Sequence, residues 1–172
     1  MAPVEEVVWA GSSAHERLGP LWVATSARGL IAVFMQASEE EVRSRLAPHR
    51  VVVQQNRVAP ILAQLDDYLQ GKRHAFDLAI DWSPLTPFQR DVLQLVYTIP
   101  YGQTRTYGEI ASELGKPGAA RAAGQANATN PMPLVIPCHR VLGSDGHLHG
   151  YGGAGGVETK AWLLRLEGSR LL

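Results

Sequence analysis

The sequence predicts a mixed α+β fold in two parts. A small antiparallel sheet with helices spans residues 1–85, and a mostly α part spans residues 86–172, with a helix-turn-helix and the only cysteine in the chain. Three observations carry this prediction. The N-terminal stretch holds short β-branched or aromatic runs separated by turn signals. A proline- and serine-bearing segment, DWSPLTPFQ (81–89), then breaks that pattern. Beyond it, apolar residues recur at helical spacing between glycine turns. A chain of 172 residues can bury one fair-sized core or two small packed ones.

Taken in order, EEVVWAGSS, GPLWVATS and GLIAVFMQ read as the strands of an antiparallel meander. A helix is expected from Ser38, where Glu39, Glu40 and Glu41 suit the positive end of its dipole. Another runs through VAPILAQLDDYLQG, with Ile61, Leu62, Leu65 and Leu69 on one face and Gly71 as its stop. FDLAIDW (76–82) reads as a further alternating strand. His15, His49 and His74 are far apart with ordinary polar neighbours, which suits surface or turn positions. After the break, Thr86 can cap a helix that has Pro87 at its first position, and Gln89 completes a capping-box pattern. Phe88, Val92, Leu95 and Val96 line one face until the Pro100-Tyr101-Gly102 turn.

Composition narrows the class. An apolar content of 45% and a charged content of 19% are ordinary for a globular protein, and no run is long and apolar enough to span a membrane. The opening MAPVEEVVWA has two acids and no basic cluster, unlike a signal peptide. A single cysteine excludes an internal disulfide and a cysteine-rich zinc site, and it fits a reducing compartment, so cytoplasm is expected. Sixteen basic and sixteen acidic residues cancel. Residues 1–85 carry eight Lys/Arg against ten Asp/Glu, and residues 86–172 carry eight against six, a weak basic bias in the second part.

TRTYGEIASELGKPGAARAAGQANATNP (104–131) reads as a helix from about Thr106 to Leu114, a break at Gly115-Lys-Pro-Gly118, and a second helix over about Ala119–Ala128. Helix, glycine-containing turn, helix is the pattern of many DNA-binding modules. The second helix bears one long cationic side chain, Arg121, among small residues. Such a slim helix suits close approach to a minor groove only ~6 Å wide, with one residue probing the base stack. Tight packing of small residues inside a core, with Arg121 merely solvated, explains the same composition.

LVIPCHRVL (134–142) reads as a buried strand ended by Pro137. Neighbouring side chains on a strand point to opposite faces, so Cys138 and His139 cooperate only if the chain bends there. A thiol is mostly protonated at neutral pH, and an adjacent imidazole can take its proton if a third group orients the ring. Glu167 shares the apolar face of a helix over VETKAWLLRLEG and is a candidate partner for His139; a salt bridge with Lys160 or plain exposure are its alternatives. Glu158 suits the helix dipole instead. Between these elements, GSDGHLHGYGGAGGVE (143–158) is a glycine-rich loop able to wall a pocket, where Tyr151 can stack on a flat ligand.

Taken together, IPYGQTRTYGEIA, AARAAGQANATNP, PLVIPCHRVLG and GYGG…K.WLLRLEG resemble the O6-alkylguanine-DNA alkyltransferases over about residues 86–168. The resemblance implies irreversible transfer of an alkyl group from O6-alkylguanine in DNA, with O4-alkylthymine as a second lesion, to Cys138. His139 would be the water-mediated base and Glu167 its orienting group. Tyr107 would protonate the leaving guanine and help rotate the nucleotide out, and Asn130 would hold the turn before the cysteine. Arg121 would fill the emptied stack, with Ala119, Ala120, Ala122 and Gly124 on the same DNA-facing helix. Val141, Tyr151, Gly152 and Gly153 would line the guanine pocket. The implied partner is double-stranded DNA containing alkylated guanine, bound by a monomer with cooperative packing along it; no cofactor, metal or membrane is implied. The loop GYGGAGGVE is longer than in typical bacterial members, and the zinc-binding cysteines of some animal members are missing here. Two rival classes share the residues: a multiple-turnover cysteine hydrolase using Cys138, His139 and Glu167, and a lesion-binding protein in which Cys138 is inert.

Overall fold

The computed structural model describes residues 6–169. Strands β1 (Val7–His15), β2 (Gly19–Thr25) and β3 (Leu30–Met35) form the expected meander, with antiparallel β1–β2 and β2–β3 pairs. Glu5, the first residue of the run assigned to β1, lies outside the described residues. Helix α1 (Glu39–Leu46) starts with a complete Ser38/Glu41 capping box and leads to β4 (Arg50–Val53). That strand pairs parallel to β1, so the sheet is mixed, in the order β3-β2-β1-β4. The sequence reading missed β4, a run of only four residues inside a turn-like context.

Alternation along the strands serves two faces. Leu21, Val23, Val33 and Met35 face α2 (Gln55–Leu69), while Trp22, Ala24, Ala32 and Phe34 join Val42 and Leu46 of α1 on the other side. With both faces covered, β3 is buried at every residue, which explains why LIAVFM is apolar without a break. The first of these clusters continues into the second half through Val92, Leu93 and Val96 of α3 (Pro87–Tyr97), Ile110, Ala123 and Leu163. Both halves therefore share one core.

Two expectations are corrected here. Phe76–Trp82 alternates in burial but makes only an isolated bridge at Ile80 with Leu30. Its backbone is divided between partners: Ala79 O accepts from Leu30 N, and Asp77 N donates to the Gln64 side chain, so no ladder forms. Gln89 does not close a capping box. Thr86 caps α3 as expected, but the Gln89 amide donates to Thr129 O and Oγ1 at 3.1 and 3.0 Å.

The helix-turn-helix is present. Helix α4 (Tyr107–Glu113) opens on a Thr106/Glu109 capping box, and a 3₁₀ turn at Pro117–Ala119 precedes α5 (Ala120–Ala128). Two-residue strands β5 (Arg105–Thr106) and β6 (Val141–Leu142) pair in parallel and fasten the start of α4 beside the segment after the cysteine. Helix α6 (Gly156–Leu166) packs last against the shared core. His15, His49 and His74 sit apart; His74 stacks on Tyr101 with ring centroids 4.0 Å apart.

Candidate active site

The chain leaves α5 and reaches Cys138 through a turn, not a strand. Leu134–Ile136 is fully buried, as an apolar run should be, but Leu134 has φ 73 and the run has no ladder partner among the described residues. Pro131, Pro133 and Pro137 remove backbone donors at close intervals, which denies the segment a regular ladder. Asn130 holds the turn from inside: its Nδ2 donates to Ile136 O at 2.9 Å and its Oδ1 accepts from Met132 N at 2.9 Å. On the outside, Pro131 O accepts from Val33 N on the free edge of β3. Cys138, His139 and Arg140 then form a single 3₁₀ turn. The required bend after Pro137 is present, and it is helical.

His139 and Glu167 meet in the interior. His139 Nε2 lies 2.7 Å from Glu167 Oε1, and both side chains are fully buried. A carboxylate only accepts, so the ring hydrogen sits on Nε2. Nδ1 is buried with no partner among the described residues. Arg140 grips the same carboxylate through Nε (2.9 Å to Oε2) and Nη2 (2.9 Å to Oε1), and Gly102 N donates to Oε2 at 3.1 Å. Burial pushes the Glu167 carboxyl up, yet its bonds from His139 and Arg140 outweigh that and hold it well below the usual carboxylate range. Burial pushes His139 down despite Glu167, and the Arg140 and Lys160 charges add to the effect, so the resting imidazole is neutral.

Cys138 is 4% exposed. Burial pushes its thiol up, opposed by the Asn130 side chain and the Lys160 charge, so the resting sulfur is a thiol. Asn127 donates to Cys138 O at 3.1 Å and lies 3.4 Å from the Tyr107 hydroxyl, which brings α4, α5 and the cysteine turn together. Tyr107 is half-buried, and burial raises its phenol, with the Asn127 bond opposing. The fully buried Lys160 ammonium donates to Val141 O at 2.7 Å and His149 O at 3.2 Å. Burial brings its pKa down to about 8, so it keeps its charge at neutral pH. It ties α6 to both ends of the segment following the cysteine.

Of the candidate pocket residues, Val141 is fully buried beside this turn, and Tyr151 has its hydroxyl buried without a partner among the described residues. Gly152 and Gly153 lie instead on a cleft of about 640 Å³ between β3 and residues 128–133, which Cys138 does not line. Gly153 also abuts the Tyr151 ring. A Cβ on Gly152 would overlap the Ala128 carbonyl oxygen, whereas one on Gly150 would meet nothing. Gly152→Ala should therefore lower stability by about 1–3 kcal/mol, and Gly150→Ala should stay within about 0.5 kcal/mol of the parent; thermal unfolding of both variants checks this. Arg121 and Ala122 are exposed on α5, Ala119 and Ala120 are half-exposed, and Gly124 lies beneath the Tyr107 ring. The small residues thus serve both earlier readings: Ala123 and Ala126 pack the core, while the Arg121 face is open.

Four site residues escaped the sequence reading: Tyr68, Arg140, Asn127 and Lys160. Arg140 and Asn127 stood inside quoted motifs, and their polarity within apolar or alanine-rich runs was the available signal. Tyr68 offered none.

Comparison with known proteins agrees with this geometry. Residues 87–169 match the 6-O-methylguanine DNA methyltransferase DNA-binding domain, and residues 12–82 match the ribonuclease-like domain of the same family. The chain is 42% identical over 161 residues to a methylated-DNA–protein-cysteine methyltransferase of Salmonella typhimurium, covering 90% of this chain and 93% of the relative. It is 51% identical over 107 residues to the protein of that name from Mycobacterium tuberculosis, covering 62% and 63%. The crystal structure of the M. tuberculosis OGT in complex with DNA superposes with a TM-score of 0.77 at 38% identity, covering 94% of this chain and 92% of that one.

Proposed function

The chain belongs to the 6-O-methylguanine DNA methyltransferase family, and from that premise we propose how its own residues carry out direct-reversal repair. The protein takes the alkyl group of O6-alkylguanine in double-stranded DNA onto a cysteine of its own. The acceptor is Cys138, since the sequence contains no other cysteine. The observation that carries the reading is the placement of that thiol on one buried turn with His139, whose Nε2 is engaged by Glu167 and whose Nδ1 is bare.

The thiol proton passes to His139, through a water as the resemblance implies, and the thiolate attacks the alkyl carbon. A carbon–sulfur bond forms while the carbon–oxygen bond breaks, and the electron pair leaves on guanine. Tyr107, a phenol that burial keeps protonated, supplies the proton guanine then needs. Asn130 holds the turn that presents the sulfur. The thioether product has no route back to a thiol here, so each molecule acts once.

A base within the duplex cannot reach a buried sulfur, so the nucleotide is flipped out, at an unstacking cost of a few kcal/mol. The α5 face with Ala119, Ala120, Ala122 and Gly124 lies close to the minor groove, and Arg121 occupies the emptied stack. Val141, Tyr151, Gly152 and Gly153 wall the guanine pocket, which opens at the glycine loop to admit the base. Residues 1–85 act as scaffold and 86–172 as the DNA-binding and acceptor unit; the two matched regions, 12–82 and 87–169, meet at this boundary. The repair takes place in the cytoplasm, in keeping with a free thiol acceptor. No described helix is long and apolar enough to cross a membrane.

Intact-mass measurement after incubation with a duplex carrying O6-methylguanine tests the reading: one methyl group gained per protein molecule supports it, and repeated turnover without modification overturns it. Arg121→Ala should slow repair of the duplex by about tenfold or more while leaving reaction with a free alkylated base nearly unchanged, because only the duplex has a stack to fill. Parallel rate measurements on the two substrates check this, and equal losses would contradict the intercalating role.

A further inference from the structure

One side chain from the N-terminal half enters the proton relay. Tyr68, in the last turn of α2, is fully buried against Phe76 and Tyr101. Its hydroxyl donates to Glu167 Oε1 at 2.6 Å, and the phenol oxygen lies 3.2 Å from His139 Nε2. Glu167 does not need this bond for its own satisfaction, because Arg140 and Gly102 N already serve both of its oxygens. The phenol therefore does something further. Its hydrogen is committed to Oε1, so towards His139 it can only accept. It thus shares the Nε2 hydrogen with Glu167 and competes with His139 for Oε1, which keeps that oxygen from drawing the hydrogen away from the ring.

We propose that Tyr68 is a positioning residue for alkyl transfer: beside Glu167 it gives the Nε2 hydrogen of His139 a second acceptor and so holds the ring with Nδ1 turned to receive the Cys138 proton. The proposal rests on the reading of Cys138 and His139 above. In the step it supports, the thiol hydrogen moves to Nδ1, and the imidazolium so formed holds its Nε2 hydrogen between Glu167 Oε1 and the Tyr68 oxygen. The thiolate is released for attack, and no other reactant is consumed before the alkyl carbon is engaged. The titratable groups around this pair are Tyr68, Tyr107, Arg140, Tyr151, Lys160 and Glu167. Of these, Tyr68 alone comes from the first half of the chain.

The test is Tyr68→Phe in the full chain, with single-turnover methyl transfer from a duplex containing O6-methylguanine followed across pH. The expected result is a rate constant reduced about tenfold at neutral pH, with unchanged affinity for the duplex. The deficit should shrink as pH rises through the thiol pKa, because a thiolate formed by bulk hydroxide no longer needs the base. A purely structural role would give a deficit independent of pH, and that result, or a wild-type rate throughout, overturns the proposal. Imidazole ¹⁵N chemical shifts give a second readout on the folded population. His139 should keep the Nε2–H tautomer set by Glu167 in both proteins, but its ring ¹⁵N lines should be sharp in the wild type and broadened by ring motion in Tyr68→Phe; equally sharp lines in both would also overturn it. If the wild type itself gains no methyl group, the functional reading fails; a fully active Tyr68→Phe beside an active wild type removes only the role of Tyr68.

Discussion

Cys138→Ser should gain no mass at all from a duplex carrying O6-methylguanine, under conditions in which the wild type gains one methyl group per molecule. The expected effect is complete loss, larger than for any other substitution, because the sulfur is both nucleophile and final carrier of the group. A serine hydroxyl in the same buried turn is a far weaker acid than a thiol, and a neutral imidazole cannot generate enough alkoxide from it. The substitution is nearly isosteric, and the side chain is not part of the Arg140–Glu167 pairing. Folding and lesion binding should therefore persist, so mass spectrometry and duplex affinity measured on one sample separate failed chemistry from failed recognition. A methyl group found on the serine variant would place the acceptor elsewhere and remove the proposed reaction.

The second large effect is on stability. Arg140→Ala removes the only cation among the described residues that touches Glu167 and leaves a buried carboxylate with neutral donors there. Breaking such a pair typically costs about 3–5 kcal/mol, and at this chain length each kcal/mol lowers the melting temperature by roughly 2–4 °C. Arg140→Lys should recover only part of it, since a point charge cannot span both carboxylate oxygens and also reach Ile99 O as the guanidinium does. The pH dependence follows from the lowered Glu167 pKa. The unfolded carboxyl titrates near 4.5, so the stabilisation is fully present above that value and is lost as pH falls below it toward the folded-state value. In Arg140→Ala that lowering is weaker, so the variant loses less in acid, and its deficit against the wild type should narrow below about pH 4.5. Asp81, lowered to about 2, contributes the same acid loss to both proteins and cancels in the difference. A deficit that stays constant from pH 7 to pH 3 would mean that Glu167 is not the group responsible.

What could be read from the sequence was local. Ser38 with the acids after it, Thr86 before Pro87, and the break at Gly115–Gly118 announce helix ends within a few residues, and the structure has them. The cysteine turn shows the limit of that kind of reading. Leu134–Ile136 has the composition of a buried strand, and burial is what composition reports; its backbone path is set by three prolines and by Asn130 reaching Ile136 O. β4 was missed because its partner, β1, lies some forty residues earlier, with Val8 opposite Val51. Glu167 was legible as a candidate because an acid on an apolar helix face needs a partner. Which partner it finds is a tertiary fact. Tyr68 reads as one more apolar position on an amphipathic helix, and Lys160 as a solvated one, yet both are fully buried against the site.

The contact between Tyr68 and Glu167 joins residues 99 positions apart. Closing so wide a loop carries a large entropy penalty and comes late in folding. On the ribosome it has a plain meaning. His139 and Glu167 are 28 positions apart, so residue 167 must itself clear the exit tunnel before the carboxylate can meet the imidazole and the phenol packed on α2. Until then the imidazole has neither partner, and the sulfur is an ordinary thiol in an unfinished chain. A protein that can react only once therefore shields its sulfur from stray electrophiles only when this closure is complete, because burial is what covers the thiol and raises its pKa.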